Sequence, residues 1–331
     1  MAGMVSLIIV NWNGKHNLQG CLPTVLAQTY SNFEVILVDN GSTDGSVEFV
    51  SQKFPQVRLI RNAENLGFAK GNNIAIEVAQ GDYIATLNND TQADPHWLRE
   101  LMGSMEAHAR VGMCASKMLF YHQPHMINST GINLDRAGIA WDRRGGEEDQ
   151  EGQEGMGEVF GPCAGAALYK RQMLEEIGFF DEDFFAYLED VDLAWRARLM
   201  GWRSLYVPTA RVYHLHSATG KEGSPYKNYL LGRNKIWTIL KNYPAPEIFV
   251  FLPVILFYDL ASVLYALLAR RDISALRGRI AGWRDLPRVL AKRKEVQGKR
   301  SVSFSTLTGA MSPLENPFKV PRRYRHLREL G

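Results

Sequence analysis

Residues 83–90 have the sequence Tyr-Ile-Ala-Thr-Leu-Asn-Asn-Asp, an apolar run that ends in three polar side chains. Similar short runs, rich in β-branched residues, precede it at Val5–Val10, Glu34–Val38 and Val57–Ile60. Apolar residues at helical spacing separate these runs from one another. Strands joined by helical crossovers are parallel, and helices cover both faces of such a sheet. The sequence therefore predicts an α/β fold with a mostly parallel central sheet and helices on both faces.

Polar residues stand where these predicted strands end. Ligands of open parallel sheets bind at the carboxyl ends of the strands, and those ends carry Asn11, Asp39 and Asn88-Asn89-Asp90. Asp39 is placed to accept hydrogen bonds from a nucleotide base or ribose. Asp90 is placed to hold a divalent metal that bridges a diphosphate, although Asn-Asn-Asp also forms ordinary turns. No Gly-x-Gly-x-x-Gly follows the first strand, which argues against a dinucleotide-binding dehydrogenase.

A dense group of aromatic and acidic residues, Phe184–Arg196, marks the start of a predicted amphipathic helix. Asp190 is the candidate general base, because a carboxylate beside aromatic rings at a cleft acquires a pKa suited to deprotonating a hydroxyl. Glu189 and Trp195 are assigned to the acceptor side of the site. Trp195 also fits the core face of the helix, since it lies four residues after Val191.

His214 and His216 follow the strand-like residues 211–213 and share one face of an extended chain. Either imidazole is able to complete a metal shell begun by Asp90, and His214 is the preferred ligand. Residues 117–160 are rich in Gly, Asp and Glu and poor in periodic apolar residues. This composition predicts long loops over the site.

An apolar stretch at residues 248–269 has nearly the length needed to cross a bilayer, but Pro253 and Asp259 interrupt it. A membrane span, a helical hairpin, an interfacial helix and a buried core helix are all compatible with this pattern. From Arg270 to its end the chain carries 16 Lys/Arg and 5 Asp/Glu, against 22 and 30 before that point. Because basic side chains are attracted to anionic lipid, we expect contact with a membrane surface.

The whole chain of 331 residues, 46% hydrophobic and 22% charged, is typical of a globular protein. Its cysteines, Cys21, Cys114 and Cys163, are odd in number and widely spaced, so we expect reduced thiols in a cytosolic protein. The start of the chain lacks a charged leader, and export is not expected. We divide the chain into a domain at residues 1–240 and an apolar helical segment with a basic tail at residues 241–331.

Several motifs follow one another in a fixed order along the chain. They are residues 5–14 (Val-Ser-Leu-Ile-Ile-Val-Asn-Trp-Asn-Gly), 38–42 (Val-Asp-Asn-Gly-Ser), 65–73 (Asn-Leu-Gly-Phe-Ala-Lys-Gly-Asn-Asn), 87–90 (Leu-Asn-Asn-Asp), 189–192 (Glu-Asp-Val-Asp), 211–219 and Arg233-Asn234. Together they resemble the inverting glycosyltransferases of family two, and most closely the rhamnosyltransferase-like branch. The ordered set is far more specific than any single motif.

This resemblance implies a GT-A fold and a single displacement with inversion at the anomeric carbon. It implies that Asp39 contacts the nucleotide, that Asp90 and His214 hold the metal, and that Asp190 is the base. The residues assigned to the nucleotide sugar, besides Asp39, are Asn11, Gly67, Lys70, Gly71, Asn88 and Asn89. The metal motif of the family often begins with Asp, whereas this chain has Asn88, which removes one negative charge from the metal site.

The implied reaction moves a sugar, with rhamnose favoured by the resemblance, from a nucleotide-diphosphate donor to a hydroxyl of a glycan or lipid-linked acceptor for cell-surface polysaccharide synthesis. Such a reaction uses a divalent metal, Mg or Mn, because charge develops on the diphosphate, and a base because an alcohol is a weak nucleophile. We expect a cytoplasmic protein held peripherally or monotopically at the inner, anionic face of the cell membrane, with no nucleic acid partner. The alternative is a non-catalytic sugar- or lipid-binding membrane scaffold with a degenerate glycosyltransferase fold.

Overall fold

Strands and helices alternate through the first hundred residues and then give way to further strands and a helical C-terminal region. The computed structural model describes residues 3–150, 152, 155–215 and 223–315. The strands are β1 (Val5–Asn11), β2 (Phe33–Asn40), β3 (Arg58–Asn62), β4 (Tyr83–Leu87), β5 (Thr91–Ala93), β6 (Val111–Phe120), β7 (Ile127–Ser129), β8 (Ile132–Leu134), β9 (Ala140–Asp142), β10 (Gly157–Glu158), β11 (Ala166–Lys170) and β12 (Arg203–His214). The α-helices are α1 (Lys15–Leu26), α2 (Ser46–Lys53), α3 (Gly67–Val78), α4 (Trp97–Ala107), α5 (Arg171–Ile177), α6 (Glu189–Leu199), α7 (Pro225–Asn242), α8 (Glu247–Arg270), α9 (Ser274–Arg284), α10 (Leu286–Gly298) and α11 (Phe304–Gly309). A short 3-10 helix spans Glu182–Phe184.

The central sheet has the strand order β10-β12-β6-β11-β4-β1-β2-β3. β1 is parallel to β2 and β4, and β2 is parallel to β3. β11 is antiparallel to both of its neighbours, β4 and β6, whereas β12 runs parallel to β6. The predicted α/β fold is confirmed, and the inserted β11 makes the sheet mixed. Because β1, β2, β4 and β12 point the same way, their carboxyl ends meet at one edge of the sheet.

The bounds of the predicted strands agree closely with the structure. β4 spans the predicted residues, and β1, β2 and β3 differ from their predictions by one or two residues at an end. The expectation of long loops at residues 117–160 is only partly right, because β6 continues to Phe120 and the short strands β7, β8, β9 and β10 follow. Strands of two or three residues are too short to show a two-residue hydrophobic period.

Apolar side chains pack between the sheet and the helices that cover it. Trp195 on α6 belongs to this core: its side chain is 1% exposed, and its ring centroid lies 5.4 Å from that of Phe160 and 5.6 Å from that of Tyr243. The assignment of Trp195 to the acceptor side is therefore corrected. Its four-residue spacing from Val191, which is also buried, places both on the face of α6 that packs inward.

Helices α7 and α9 approach so closely that glycine is required where they touch. A Cβ atom on Gly278 of α9 would lie 2.1 Å from the carbonyl oxygen of Tyr229, and one on Gly232 of α7 would lie 2.6 Å from that of Ala275. The C-terminal region is therefore joined to the rest of the protein by direct backbone contact. Residue 240, the predicted domain boundary, lies inside α7.

Helix α8 is the one helix of the described residues with the length and composition of a membrane span. It is not a buried core helix, because one face is open to solvent along its length. The most exposed of these side chains are Phe249 (67%), Val250 (71%), Phe257 (62%), Leu260 (59%) and Leu268 (80%). The opposite face packs on the protein through residues such as Ile255, which is 5% exposed.

Asp259 lies on the protein-facing side of α8. Its carboxylate accepts hydrogen bonds from Arg279 Nε at 2.7 Å and from Lys235 Nζ at 3.1 Å. Burial alone would raise the pKa of Asp259, but these two cations hold the pKa below its usual range. The acid that interrupts the apolar sequence is thus neutralised by α7 and α9 and leaves the exposed face of α8 apolar.

The glycine contact between α7 and α9 has a direct test. We expect Gly278→Ala to lower the free energy of unfolding by about 1–3 kcal/mol, because the added methyl group has to displace a backbone carbonyl. Gly103→Ala is the matched control: it lies within α4, has open space around its Cβ position, and should raise stability by about 0.5–1 kcal/mol. Equal effects of the two changes in thermal unfolding would contradict the close packing.

Candidate active site

A cleft of about 580 Å³ opens at the edge of the sheet where the strand ends meet. Its walls come from the ends of β1, β2, β4 and β12, the start of α3, residues 140–142, the turn before α6 and the first turns of α7. Asp90, Asp190 and His214 all line this cleft. The structure therefore brings together three side chains that the sequence separates by as much as 124 residues.

A chain of side-chain hydrogen bonds ties the ends of β4, β1 and β2 to one another. Asn89 Nδ2 donates to Asn11 Oδ1 at 2.7 Å, and Asn11 Nδ2 donates to Asp39 Oδ1 at 2.9 Å. The other oxygen of Asp39 accepts from the backbone N–H of Ser42 at 2.9 Å. Asp39 and Asn11 are at most 1% exposed and lie behind the cleft wall, where Asn40 is the wall residue. Contact of Asp39 with a nucleotide stays a prediction.

His214 links Asp90 to a residue that the sequence did not single out. His214 Nε2 lies 3.2 Å from Asp90 Oδ1, and His214 Nδ1 lies 2.9 Å from Asn128 Oδ1 on β7. Both ring nitrogens thus face oxygen acceptors, while a neutral imidazole has a single N–H. If Nδ1–H donates to Asn128, the lone pair of Nε2 points toward the Asp90 carboxylate. His216, the other candidate ligand, lies outside the described residues.

A divalent cation fits between Asp90 and His214 on the chemistry of these donors. A cation would be attracted by both the Nε2 lone pair and the carboxylate, and Asn128 would fix the ring in the required tautomer. Within the described ranges no group of three or more His, Cys, Asp and Glu side chains comes together as a metal site. A cation at this point would therefore depend on phosphate and water oxygens for its remaining ligands, as is common where a metal binds through a diphosphate.

Asp190 is held in the first turn of α6, at the positive end of the helix dipole. Its carboxylate accepts hydrogen bonds from the backbone N–H groups of Ala164 at 3.2 Å and Val191 at 2.8 Å. Partial burial dominates these contacts and, with the negative charge of Asp142, raises the pKa of Asp190 to about 6. Asp190 is therefore ionised at neutral pH but is a stronger base than an ordinary aspartate.

Glu189 precedes Asp190 and is more deeply buried. Its side chain is 6% exposed, and its Oε2 atom has no hydrogen-bond partner in the part of the protein that the structure describes. Burial, followed by the negative charge of Asp190, raises the pKa of Glu189 well above its usual range. Glu189 thus lies at the cleft as a buried carboxyl group whose environment favours the neutral form more than water does. Carboxyl groups whose pKa values are raised by burial at a cleft are typical of enzyme sites that move protons.

The glycines of the predicted donor segment fulfil different roles. Gly67 lines the cleft with φ = +83°, and a Cβ atom there would lie 2.6 Å from the carbonyl oxygen of Phe185. Gly71 lies behind the wall, where a Cβ atom would be 2.9 Å from a methyl group of Val10. Lys70 is not a wall residue: its side chain is 45% exposed and lies 3.7 Å from Glu182 in a surface ion pair.

Other wall residues carried no recognisable signal in the sequence. Asn128, Trp141 and Asp142 come from the segment expected to form loops over the site, so their region was identified but not their identity. Tyr226 and Lys227 come from the start of α7, and Lys227 Nζ lies 5.1 Å from the ring centroid of Tyr187. Lys227 brings a positive charge to the cleft, which suits an anionic substrate.

Comparison with known proteins identifies the family to which the chain is similar. The profile of the family described as "Glycosyl transferase family 2" matches residues 6–178, which is more than half of the chain. The N-acetylglucosaminyl-diphospho-decaprenol L-rhamnosyltransferase of Mycobacterium tuberculosis is 29% identical over 252 residues, covering 67% of this chain and 80% of that protein. The uncharacterized glycosyltransferase YibD of Escherichia coli is 25% identical, with coverage of 72% and 70%.

Solved structures share the fold at low sequence identity. The mannosyltransferase PcManGT from Pyrobaculum calidifontis, in complex with GDP-Man and Mn²⁺, superposes with a TM-score of 0.54 at 17% identity and covers 100% of this chain and 86% of its own. TarS 1-349 of S. aureus superposes with a TM-score of 0.57 at 17% identity, with coverage of 98% and 90%. These likenesses bear on the fold and agree with the GT-A architecture that the sequence predicts.

Proposed function

This chain belongs to glycosyl transferase family 2, and on that premise we propose that it is an inverting, metal-dependent glycosyltransferase. It moves a sugar from a nucleotide-diphosphate donor to a hydroxyl of a glycan or lipid-linked acceptor. The observation that carries this proposal is that Asp90, His214 and Asp190 line one cleft. Transfer to an alcohol needs both a group that stabilises the departing diphosphate and a group that removes the hydroxyl proton.

Asp190 serves as the base. The acceptor oxygen attacks the anomeric carbon, its proton passes to the Asp190 carboxylate, and the bond from that carbon to the phosphate oxygen breaks on the opposite side. Attack opposite the leaving group inverts the anomeric configuration. A pKa of about 6 keeps Asp190 ionised at neutral pH while making it basic enough to take the proton as the new bond forms. Glu189, which precedes Asp190 and also lines the cleft, is assigned to the acceptor side.

Asp90 and His214 would hold the divalent cation, and Asn128 would orient the imidazole for it. When bound, the cation supplies the positive charge that stabilises the nucleoside diphosphate as it leaves. The histidine ligand favours Mn over Mg, since imidazole is a softer ligand than carboxylate or water. Asn88, neutral at the start of the motif, hydrogen-bonds the donor without adding charge.

The name of one relative supports a proposal for the classes of donor and acceptor. The Mycobacterium tuberculosis relative is named for rhamnosyl transfer to a sugar linked through diphosphate to a decaprenol. We assign this chain the same classes of substrate, a nucleotide-diphosphate rhamnose and a lipid-diphosphate-linked sugar, within cell-surface polysaccharide synthesis. Lys227 at the cleft supports an acceptor that carries phosphate.

The protein works at the cytoplasmic face of the membrane, with α8 lying in the interface. Asp259, near the middle of α8, is bonded to Lys235 of α7 and Arg279 of α9. A spanning α8 would pull those cationic helices into the hydrocarbon, which is costly, whereas an interfacial α8 buries only its apolar face. The outer face of α9 exposes Ile280 and Trp283 beside basic residues. Apolar and basic side chains on one face suit a helix that lies at an anionic membrane surface, which supports this orientation.

The proposed base is tested with Asp190→Asn. We expect transfer to fall by at least about 10²-fold, since a general base contributes about 10² to 10⁴, while donor binding stays within a few-fold. The measurement is release of nucleotide diphosphate from dTDP-rhamnose with a short N-acetylglucosaminyl-diphospho-prenol as acceptor. For the wild type, kcat/KM should rise with pH through about 6 and then level off, because protonated Asp190 is inactive. The matched control is Asp82→Asn, at an exposed position before the start of β4. Normal turnover of Asp190→Asn would remove Asp190 as the base.

The metal site is tested by removing one ligand at a time. We expect chelation to abolish transfer and Mn²⁺ to restore it. Asp90→Asn and His214→Gln should each raise the Mn²⁺ concentration needed for half-maximal binding by at least about 10-fold, and Asn128→Ala by a similar or smaller factor because it acts on ring orientation. Binding is measured by titrating Mn²⁺ in the presence of a nucleoside diphosphate. The control is His96→Gln at an exposed site; an unchanged titration in both ligand variants would contradict the assignment.

The membrane face is tested on the intact chain with Phe257→Glu combined with Leu260→Glu. These side chains lie one turn apart on the exposed face of α8, so the double change should abolish sedimentation with phosphatidylglycerol vesicles without lowering the unfolding temperature. Val78→Glu, at a comparably apolar but isolated exposed position, should leave sedimentation unchanged. Failure of the wild-type protein to sediment with these vesicles would refute membrane association.

A further inference from the structure

The turn that leads into α6 has an unusual backbone. Phe185, Tyr187 and Leu188 have φ angles of 64°, 68° and 66°, in the left-handed region that residues with a Cβ rarely adopt. Such conformations persist only when the surroundings hold them, and they cluster at functional sites. Asp190 follows this turn by two residues. The position of the carboxylate therefore depends on whatever holds the turn.

Asn234 on α7 holds the turn through its backbone carbonyl groups. Its side-chain nitrogen lies 3.1 Å from the carbonyl oxygen of Phe184, 2.9 Å from that of Ala186 and 2.7 Å from that of Tyr187. Asn234 is 0% exposed, so these hydrogen bonds are shielded from water. The amide group thus spans the turn from one end to the other and stabilises its left-handed shape.

Arg233 reinforces this contact from the same helix. Its Nη2 atom donates to the carbonyl oxygens of Asp183 at 3.0 Å and Phe184 at 2.9 Å, and its Nε atom donates to Asn234 Oδ1 at 2.9 Å. The guanidinium lies 4.4 Å from the ring centroid of Trp237, which limits its freedom. Arg233 therefore orients the Asn234 amide so that its N–H groups face the turn.

The opposite side of the turn contacts the start of α3. The carbonyl oxygen of Phe185 accepts from the backbone N–H groups of Phe68 at 2.7 Å and Ala69 at 3.1 Å. This approach requires glycine at position 67, where a Cβ atom would collide with Phe185. The turn is thus fixed between α3 on the donor side and α7 on the other, and Leu188 at its end is the N-cap of α6.

We propose that Asn234, oriented by Arg233, is the positioning residue for Asp190: it holds the left-handed turn 185–188 and thereby sets where the base faces the acceptor hydroxyl. The proposal rests on the role of Asp190 as base. It also explains the Arg233-Asn234 pair, a motif that the reaction chemistry itself does not use. Without the two N–H groups of the Asn234 amide, the carbonyl groups of Ala186 and Tyr187 lose this donor, the turn relaxes toward negative φ, and Asp190 loses its alignment with the Ala164 N–H.

The test compares Asn234→Asp, Asn234→Ala and Asn228→Ala. Asp has the shape of Asn but no N–H groups to donate, and Asn228 is an amide on the same helix that bonds Asp272 instead of the turn. We expect kcat to fall by about 10²-fold or more in both Asn234 variants, the scale of a misplaced catalytic group. The KM for dTDP-rhamnose should stay within a few-fold, and Asn228→Ala should match the wild type.

A second measurement separates positioning from general stability. In the Asn234 variants the low-pH limb of kcat/KM should move to lower pH, because a displaced Asp190 is better hydrated and its pKa falls toward the ordinary value. Hydrogen exchange should accelerate in the peptide that covers residues 184–190 and remain unchanged in β1 and β4. The proposal would be overturned if kcat fell while the pH dependence of kcat/KM and the hydrogen exchange of residues 184–190 stayed as in the wild type. It would also be overturned if Asn234→Asp had a kcat close to that of the wild type.

Arg233→Met is the reserve variant if neither Asn234 variant folds. This variant keeps an extended side chain over Trp237 but removes the hydrogen bonds to the turn. It should therefore shift the pH dependence of kcat/KM and the hydrogen exchange of residues 184–190 in the same directions as the Asn234 variants, by smaller amounts. No shift in either would overturn the proposal. If Asp190→Asn transfers sugar normally, Asp190 is not the base. Hydrogen exchange of residues 184–190 in the Asn234 variants still tests independently whether Asn234 stabilises the turn.

Discussion

The site depends on one constraint, which is the free-energy cost of keeping Asp190 charged where it is partly buried at the cleft. Desolvation favours the protonated acid, and the two backbone N–H groups and the positive end of α6 only partly offset it. The result is a carboxylate that is ionised at neutral pH yet ready to take a proton. This balance holds only while α6 begins where it does, and that start is fixed by the left-handed turn between α3 and α7.

Much of the fold was predictable because its signals are local. The strand at residues 83–87 and the three before it show β-rich runs, and the parallel arrangement follows from the helices between them. The insertion of β11 was not predictable, because pairing between distant strands leaves no mark in a small-residue run such as Ala166-Ala167. For Trp195 the two sequence signals disagreed. Its four-residue spacing from Val191 indicated the core, which is where the side chain lies, whereas only its aromatic character suggested a place in the site.

The candidate site was predictable at the strand ends and less so elsewhere. Asp90 and Asp190 belong to ordered motifs, and the structure sets both in one cleft with His214. Asn128, by contrast, lies on a three-residue strand that is too short to show a periodic pattern. Its place in the site is evident only from its contact with His214 in the structure. Lys70 shows the limit of motif reasoning, because a glycine-rich neighbourhood does not reveal whether a side chain faces the cleft or the protein surface.

Lys235 has a practical consequence for anyone who wants to produce a soluble form of this protein. Adjacent residues of α7 face two directions: Asn234 bonds the turn, while Lys235, whose pKa is lowered by burial, is paired with Asp259 of α8. Trimming the chain before α8 to improve its yield would remove both the counter-ion of Lys235 and the helix that covers it, one position from the residue that shapes the turn. Recombinant production is better served by keeping the complete helix and exchanging its outward-facing leucines and phenylalanines for polar residues.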